Sequence, residues 1–342
     1  MAGRKEIFAQ YIHDIRSHDT AFHFHNLRAM DSSELYHVKQ QFVLGAYKTL
    51  VDLTLPDPNS PDFLPILIYQ ARSHIALNNP KAALQLVPAD SENVALKAVA
   101  TLAKFVAAEG TADKEALLEE LRDLSVEIEG DDVEGTDRDK ATVRVLAGTA
   151  FARAGELEEA LETLGADTED PEAVAVIVQI YLSINRPDLA KKEYERSKRW
   201  AEDDLLLQLI ESLIGLATGK DGYHNPYTFY TEQLGNPSLS SPHVLTARGV
   251  TRILRNEFPE AQSDLQESLE QYKDDAEALA ASAVASGLSS TKKGETDANE
   301  LWARLTSEYP DHPSVVDLSK KSALFDEAMA KYTVPPLAIA TA

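Results

Sequence analysis

The chain has 342 residues, 44% of them hydrophobic and 26% charged, which is ordinary for a folded globular protein. Its formal net charge of -23 at pH 7 repels nucleic-acid phosphates and anionic lipid head groups, so direct binding to either is disfavoured. The absence of cysteine excludes disulfides, thiolate nucleophiles and cysteine-ligated zinc. The sequence has no signal-peptide pattern and no apolar run of the ~18 residues that span a bilayer, so we expect a soluble cytoplasmic protein without direct membrane insertion.

Residues 1–32 form an N-terminal extension in which four histidines and two aspartates are concentrated. They are His13, Asp14, His18, Asp19, His23 and His25. Histidine and carboxylate groups ligate zinc or iron, so a metal hydrolase is one interpretation. The spacing matches neither HExxH nor another established ligand signature. We therefore expect an extension that is disordered or caps the first repeat, with no metal and no other cofactor.

A short turn followed by an alanine-containing amphipathic helix recurs along the chain. RAGELEEALETLG (153–165), INRPDLAKKEYERS (184–197) and RNEFPEAQSDLQESL (255–269) share this plan. Aligned, the turn-plus-helix segments place equivalent positions at Leu50, Ala83, Ala116, Ala160, Ala190, Pro226, Ala261 and Ala298. Their mean spacing of about 35 residues is close to the ~34 of tetratricopeptide units, each a hairpin of two helices.

Small residues also recur on the helical segment that precedes each alanine. Ala71, Gly148, Gly249 and Ser286 stand 12 residues before Ala83, Ala160, Ala261 and Ala298, respectively. Small side chains let two helices approach closely, and larger ones would overpack the crossing. The positions assigned to helix crossings are Ala71, Ala83, Gly148, Ala160, Ala190, Gly249, Ala261 and Ala298.

The more apolar segments are predicted to be the first helices of the hairpins, since these pack between neighbours on both sides. They are residues 63–77, 139–154, 172–184, 204–218 and 242–254. Pro80, Pro187 and Pro259 fall near the first turn of the second helices, where a missing amide costs little. No stretch alternates as a strand does. We therefore predict an all-α fold, an α-solenoid over residues 33–334 with a C-terminal tail at 335–342.

Two stretches that hint at ligand sites do not carry the required residues. EIEGDDVEGTDRDK (127–140) lacks the register of a calcium loop and is interpreted as a solvated loop. GLATGKDG (215–222) has its glycines one residue too close for a phosphate loop and is interpreted as a helix end followed by a turn. With no GxSxG and no GxGxxG motif, we predict that the chain is not an enzyme.

Four stretches carry a resemblance to a known family. They are ELYHVKQQFVLGAYKTLVDLTL (34–55), INRPDLAKKEYERSKRWAEDDLLLQLIESLIGLATG (184–219), NEFPEAQSDLQESL (256–269) and YPDHPSVVDLSKKSALFDEAMAKY (309–332). Together they resemble the epsilon subunit of coatomer, the coat of Golgi-derived vesicles, over roughly residues 33–334. Residues 1–32 have no counterpart in that family, and Pro226 stands where the repeat prefers alanine.

The resemblance implies a non-catalytic subunit of the COPI coat that acts in Golgi-to-ER retrograde and intra-Golgi vesicle transport. It implies that the solenoid curls around the C-terminal region of the alpha coatomer subunit and grips a β-hairpin. Through alpha it is connected to the beta-prime subunit and the rest of coatomer. Membrane association is then peripheral, on the Golgi membrane and COPI-coated vesicles.

The concave face formed by the first helices is the candidate partner-binding face. Counting outward from the small residues predicts that it includes Ile68, Arg72, Ile75, Val145, Thr149, Gln179, Leu182, Thr246, Val250 and Ile253. The aliphatic members could equally pack between helices, so Arg72 and Gln179 are the better candidates. Replacing both is expected to weaken partner capture while leaving the melting transition nearly unchanged.

A generic tetratricopeptide adaptor that binds a peptide segment of another complex is the alternative function. Adaptors that receive a chaperone tail hold its terminal carboxylate with lysines, arginines and asparagines on the groove. The corresponding positions here are Ala175, Gln179, Thr246 and Val250, which disfavours that kind of adaptor.

Overall fold

The computed structural model describes residues 31–88, 91–130, 135–289 and 292–332. In these ranges the chain forms seventeen α-helices and one 3-10 turn, with no β-strand, which confirms the all-α prediction. The helices are α1 Ser33–Val43, α2 Tyr47–Val51, α3 Phe63–Ala76, α4 Pro80–Leu86, α5 Val94–Ala107, α6 Thr111–Glu127, α7 Asp137–Ala154, α8 Leu157–Leu164, α9 Pro171–Ser183, α10 Pro187–Ala201, α11 Leu205–Thr218, α12 His224–Leu234, α13 Pro242–Leu254, α14 Phe258–Gln271, α15 Ala276–Leu288, α16 Lys292–Glu308 and α17 Pro313–Met329. The four histidines of the N-terminal extension and the predicted tail lie outside the described residues.

Successive helices pair into hairpins, from α1–α2 to α15–α16. The five predicted first helices are α3, α7, α9, α11 and α13, and the structure places each end within two residues of the prediction. A continuous core runs between the hairpins from α3 to α9, and it includes the fully buried Ala71, Leu121 and Ala147. The prediction of an α-solenoid is confirmed.

A residue with left-handed backbone closes the first helix of four hairpins. Asn78, Gly155, Asn185 and Asn256 have φ angles of 55°, 90°, 57° and 63°. Each stands two residues before the second helix begins. The next amide then donates to the carbonyl five residues back, as Asn79 does to His74 at 2.8 Å and Glu257 to Arg252 at 2.9 Å. Glycine and asparagine tolerate this conformation best, so these residue types end the helices there.

The acidic stretch 127–140 is only partly a loop, which corrects the prediction at both of its ends. Helix α6 extends to Glu127, and α7 begins at Asp137. Thr136 caps α7: its hydroxyl accepts a hydrogen bond from the amide of Asp139, whose carboxylate accepts one from the Thr136 amide at 2.9 Å. This reciprocal capping box begins a helix inside the acidic run. Residues 131–134 lie outside the described residues.

Glycines allow two hairpins to close tightly at the predicted crossings. A β-carbon at Gly148 would lie 2.6 Å from Leu164 Cγ, and one at Gly249 would lie 2.8 Å from Leu265 Cγ. The glycine is thus opposed by a leucine of the second helix and not by the predicted alanine side chain. The alanines still occupy the sheltered positions. Ala71, Ala83, Ala160, Ala190 and Ala261 are fully buried, whereas Ala298 is half-buried.

The hairpin α11–α12 departs from this plan, as Pro226 suggests. A β-carbon at Gly215 would lie 3.0 Å from Pro226 Cγ, so this buried proline occupies the crossing in place of alanine. Gly219, with φ 67°, ends α11 in a left-handed conformation. The 3-10 turn Lys220–Tyr223 follows it. The prediction that residues 215–222 are a helix end and a turn is therefore confirmed.

The solenoid returns on itself, because the loop after α1 contacts α12 and α13. Ser241 Oγ donates to the Leu44 carbonyl at 2.6 Å, and Gln41 Nε2 donates to the Ser238 carbonyl at 3.3 Å. The Leu44 side chain is buried in a cluster with Phe229, Tyr230, Leu239 and Val244. We call this contact the ring closure, since it joins residues 197 positions apart in the chain.

Two further contacts extend the ring closure. Gly45 has φ 71°, and a β-carbon there would lie 2.7 Å from His243 Cβ, so only glycine permits the approach. The Lys48 ammonium lies 4.2 Å from the ring centroid of Tyr272, at the end of α14. A cation over an aromatic face is attracted to it. The ring closure therefore involves α2 and α14 in addition to α12 and α13.

Candidate partner-binding site

Arg72 of α3 and Glu172 of α9 form an ion pair that joins two hairpins distant in the chain. Arg72 Nη2 lies 2.5 Å from Glu172 Oε2, and the Tyr69 hydroxyl donates to Glu172 Oε1, also at 2.5 Å. The guanidinium carbon stands 4.5 Å from the centroid of the Phe42 ring. Carboxylate, phenol and aromatic face together fix the Arg72 side chain, which is only 11% exposed.

The electrostatics of this cluster favour the charged forms of the pair. Burial alone would raise the pKa of Glu172, but the positive charge of Arg72 and the hydrogen bonds from Arg72 and Tyr69 outweigh it and lower that pKa. Burial and the neighbouring Glu172 charge raise the pKa of Tyr69 well above its usual value. The cluster therefore carries a salt bridge and a neutral phenol at neutral pH.

A cleft opens beside this ion pair and brings together three of the predicted site residues. Ile68, Arg72 and Val145 line it. Ile68 and Val145 are only 5% and 3% exposed and belong to the same core as Ile75, which corrects their assignment to an open face. The rest of its lining is Lys39, Pro65, Tyr69, Arg138, Asp139, Ala141, Thr142, Asp170 and Glu172. Lys39 pairs with Asp31 at 2.5 Å, and Arg138 pairs with the same carboxylate. The cleft thus combines an aliphatic floor with charged groups of both signs.

Four further predicted site residues do not line the cleft, because they pack against neighbouring helices. This corrects their assignment to an open face. Ile75 is 8% exposed and belongs to the core beneath α3. Thr246 is 4% exposed, and its hydroxyl lies 2.9 Å from that of Ser268 within the hairpin α13–α14. Val250 and Ile253 pack against a cluster formed by Leu265 of α14 with Ala281 and Ala285 of α15. Each first helix is covered on both flanks, so the open stripe is narrower than the sequence suggests.

The other three predicted residues lie on α7 and α9. Gln179 is exposed, as predicted for a residue that meets a partner. Thr149 is half-buried, and its hydroxyl donates to the Val145 carbonyl one turn earlier at 2.6 Å. Leu182 is half-buried against the cluster of α9, α10 and α11. Gln179 is therefore the most accessible of the ten positions.

Sequence reasoning missed the residues that hold Arg72. Glu172 stands in the first turn of α9, where an acidic side chain is common because it complements the helix dipole. It lies 100 residues from Arg72. No local pattern indicates such a pair. Tyr69 precedes Arg72 by about one turn, so the sequence predicts only that the two side chains share a face of the helix.

The described residues offer neither a cluster of metal ligands nor a membrane-spanning helix. In these parts of the chain no group of three or more His, Asp or Glu side chains is placed to hold a metal ion. Among the described helices none is both long and apolar enough to cross a bilayer.

Comparison with known families identifies the solenoid. Residues 31–333 match the model of the coatomer epsilon subunit family. The chain belongs to this family. This match confirms the family resemblance noted in the sequence. Members of the coatomer epsilon family are structural components of the COPI coat and are not known as enzymes.

Relatives of the coatomer epsilon family span nearly the same length. The chain is 25% identical over 297 residues to coatomer subunit epsilon of Caenorhabditis elegans, covering 86% of this chain and 97% of the relative. It is 26% identical over 303 residues to coatomer subunit epsilon-1 of Arabidopsis thaliana, covering 87% and 97%. The similarity therefore extends through the whole solenoid.

Two solved structures share this helical fold. A tetratricopeptide repeat protein from Parabacteroides merdae aligns with a TM-score of 0.51 and 13% identity, covering 82% of this chain and 98% of that one. A chain of the APC/C hetero-tetramer Cut9-Hcn1 aligns with a TM-score of 0.50 and 16% identity, covering 83% and 53%. At this identity the likeness establishes the fold alone.

Proposed function

We propose that this chain is a non-catalytic subunit of the COPI coat that binds and stabilises the C-terminal region of the alpha coatomer subunit. It does so in Golgi-to-ER retrograde and intra-Golgi vesicle transport. Through alpha it is linked to the beta-prime subunit and the rest of coatomer. The chain is then cytoplasmic, and it is peripheral on Golgi membranes and COPI-coated vesicles only as part of the coat.

The observation that carries the proposal is the ring closure in a chain that belongs to the coatomer epsilon family along its solenoid. A ring of hairpins encloses a segment from several sides, and an extended segment or hairpin needs both apolar pockets and polar partners for its backbone. The cleft beside Arg72 and Glu172 supplies both kinds of group.

A generic adaptor for a terminal carboxylate is less well supported. Such a site needs unpaired cations, but Arg72 is already paired with Glu172, and Lys39 and Arg138 are both paired with Asp31. A second carboxylate would have to displace one that is already in place. The cleft beside Arg72 and Glu172 suits a segment with mixed polar and apolar side chains better than it suits a free carboxylate.

The test is affinity capture of the tagged full-length chain from its own cytosol at moderate salt. Co-purifying chains are identified by mass spectrometry, and their stoichiometry is measured. Recovery of alpha in near-equal amount, with the other coatomer subunits, supports the proposal. Recovery of chaperones or unrelated complexes without alpha would refute the proposal and favour the adaptor.

A second experiment tests the alpha interaction directly. The purified chain is mixed with the recombinant C-terminal region of alpha, and their affinity is measured by calorimetry with and without the substitution Gln179→Trp. Gln179 is exposed on α9, on the face that we propose meets the partner, so a bulky group there should clash with the bound segment and weaken binding. Unchanged affinity would place alpha elsewhere on the molecule.

A further inference from the structure

The last helix of the described residues, α17, projects from the solenoid. Val315 near its start packs with Leu279 and Leu305 of the preceding hairpin. Beyond it, every described residue from Asp317 to Tyr332 is exposed. Most of this 17-residue helix therefore has no contact surface on the described part of its own chain.

The projecting part of α17 carries an apolar stripe. Leu318, Phe325, Met329 and Tyr332 are 50%, 67%, 54% and 76% exposed. The spacings of seven and four residues place Leu318, Phe325 and Met329 on one face of α17, and Tyr332 follows three residues after the helix ends. Of the eleven large hydrophobic side chains exposed in the described residues, five lie between Leu318 and Tyr332. An apolar patch of this kind marks a surface that is covered in the working state of a protein.

A stable α17 also requires a surface against which its apolar face can pack. Its unpacked part, residues 317–329, falls in the range of about 12–15 residues below which isolated helices are marginal in water, because tertiary packing of an apolar face supplies most of the stability of a helix. Within α17 the ion pair Lys321–Asp317 adds only a small contribution, as does Lys331–Glu327 just beyond its end. Neither replaces a packing surface.

The charge of α17 indicates what kind of surface covers it. Residues 313–332 contain three lysines and three acidic residues, whereas the whole chain carries a net charge of -23. A neutral helix with an apolar stripe suits an apolar groove and not a charged one. Anchors at i, i+7 and i+11 are typical of a helix laid into such a groove.

Two other occupants fit the stripe less well. A second copy of the chain would bring together two bodies of charge -23, and the exposed stripe spans only about two heptads, which is short for a stable coiled coil. The chain's own residues 333–342 offer, past Pro335 and Pro336, only Leu337 and Ile339 as large apolar side chains. That pair is too few to bury the five large hydrophobic side chains that are exposed between Leu318 and Tyr332.

We propose that α17 is a second docking element, whose apolar stripe inserts into an uncharged apolar groove on the same partner that the ring encloses. This inference rests on the proposed function, since it takes that partner to be the C-terminal region of alpha. The ring would hold one segment of the partner from within, and α17 would hold a separate surface of it from outside.

The test compares two double variants of the full-length chain. Leu318→Gln with Phe325→Gln removes two anchors of the stripe and keeps good helix formers. The matched control, Lys320→Gln with Glu327→Gln, alters the opposite face, since two residues turn a helix by about 200°. Affinity for the recombinant C-terminal region of alpha is measured by calorimetry, mass by light scattering, and stability by thermal melting.

We expect the stripe variant to bind alpha at least about tenfold more weakly, since two buried anchors are lost, while the control stays within about twofold of the unaltered chain. Melting temperature and mass should not change. Equal binding by the stripe variant would overturn the inference. So would a dimer of the unaltered chain that this variant dissociates, or a rise in hydrophobic-dye binding at the stripe when residues 333–342 are removed.

The proposed function and this inference fail in different ways. If the unaltered chain does not bind alpha, the proposed function is refuted and this inference falls with it. If Gln179→Trp weakens binding and the stripe variant does not, only the role of α17 is refuted.

Discussion

The Ser241 hydroxyl donates a hydrogen bond to the carbonyl of Leu44 at 2.6 Å, across 197 positions of sequence. This contact makes the first hairpin a neighbour of α13, although five other hairpins lie between them in the chain. The acceptor carbonyl belongs to a residue whose side chain is itself buried against α12 and α13. Backbone and side chain of Leu44 therefore both hold the ring closed.

The ring closure can be tested through a pair of glycines with similar backbones. Gly45→Ala and Gly155→Ala each place a side chain at positive φ, which costs about 1–2 kcal/mol. Only at Gly45 does the new β-carbon meet another residue, His243, whereas nothing lies within 4 Å at Gly155. We expect Gly45→Ala to lower the free energy of unfolding by at least about 1 kcal/mol more, as measured by urea titration. Equal losses would mean that the ring closure yields without cost.

Replacing a glycine by alanine should lower the free energy of unfolding at a close helix crossing but not at an open one. Gly148→Ala would bring a β-carbon to 2.6 Å from Leu164, so we expect a loss of about 1–3 kcal/mol in the free energy of unfolding. Gly287→Ala meets only Ala298, at 3.7 Å, so the better helix propensity of alanine should leave stability unchanged or raise it by up to about 1 kcal/mol. Thermal melting of both variants checks the difference. A Gly148→Ala protein as stable as the original would contradict the close crossing.

The Arg72–Glu172 pair makes stability depend on pH in acid. Because the pKa of Glu172 is lowered on folding, its stabilisation is complete above the ordinary value of 4.5 and is lost as pH falls through the folded pKa. Glu172→Gln should cost about 1–3 kcal/mol at pH 7, since it leaves Arg72 without its charged partner. We expect the difference between the two proteins to shrink below about pH 4.5. A difference that stays constant in urea titrations from pH 7 to pH 3 would exclude this role for the pair.

Arg72 and Gln179 should separate in their effects, which revises the sequence-based expectation that replacing both leaves melting nearly unchanged. Arg72 is 11% exposed and paired, so Arg72→Ala should lower the melting temperature. Gln179 is exposed, so Gln179→Ala should change the free energy of unfolding by no more than about 0.5 kcal/mol. Gln85→Ala, at an exposed position on a second helix, is the matched control for binding. We expect Gln179→Ala, but not Gln85→Ala, to weaken binding to alpha.

Helix boundaries could be predicted from the sequence because local chemistry decides them. Asn78 and Asn185 adopt the left-handed conformation that ends a helix, and Pro80 and Pro187 begin the next one without needing an amide donor. The ring closure could not be predicted in this way. Leu44 and Ser241 carry no charge or motif that links them, and their contact depends on the summed curvature of all the hairpins between.

The site was predictable only in part for a related reason. Arg72 stands out as a cation on an apolar helix, and the structure places it in the lining of the cleft beside Glu172. Thr246 looks equally polar on its helix, yet the facing helix α14 supplies Ser268 as a hydrogen-bond partner and buries both hydroxyls. Counting positions along one helix shows which side chains share a face, but the depth of the neighbouring helix decides which of them remain open.

The ring closure also changes how the molecule can unfold. An open array of hairpins frays from both ends, since each terminal unit has only one neighbour to lose. Here the first hairpin has two neighbours. One is the next hairpin in the chain, and the other is the α12–α13 region, which it contacts through Leu44 and Ser241. Local opening detected by amide hydrogen exchange should therefore begin at α16 and α17 and reach α1 last among the terminal helices.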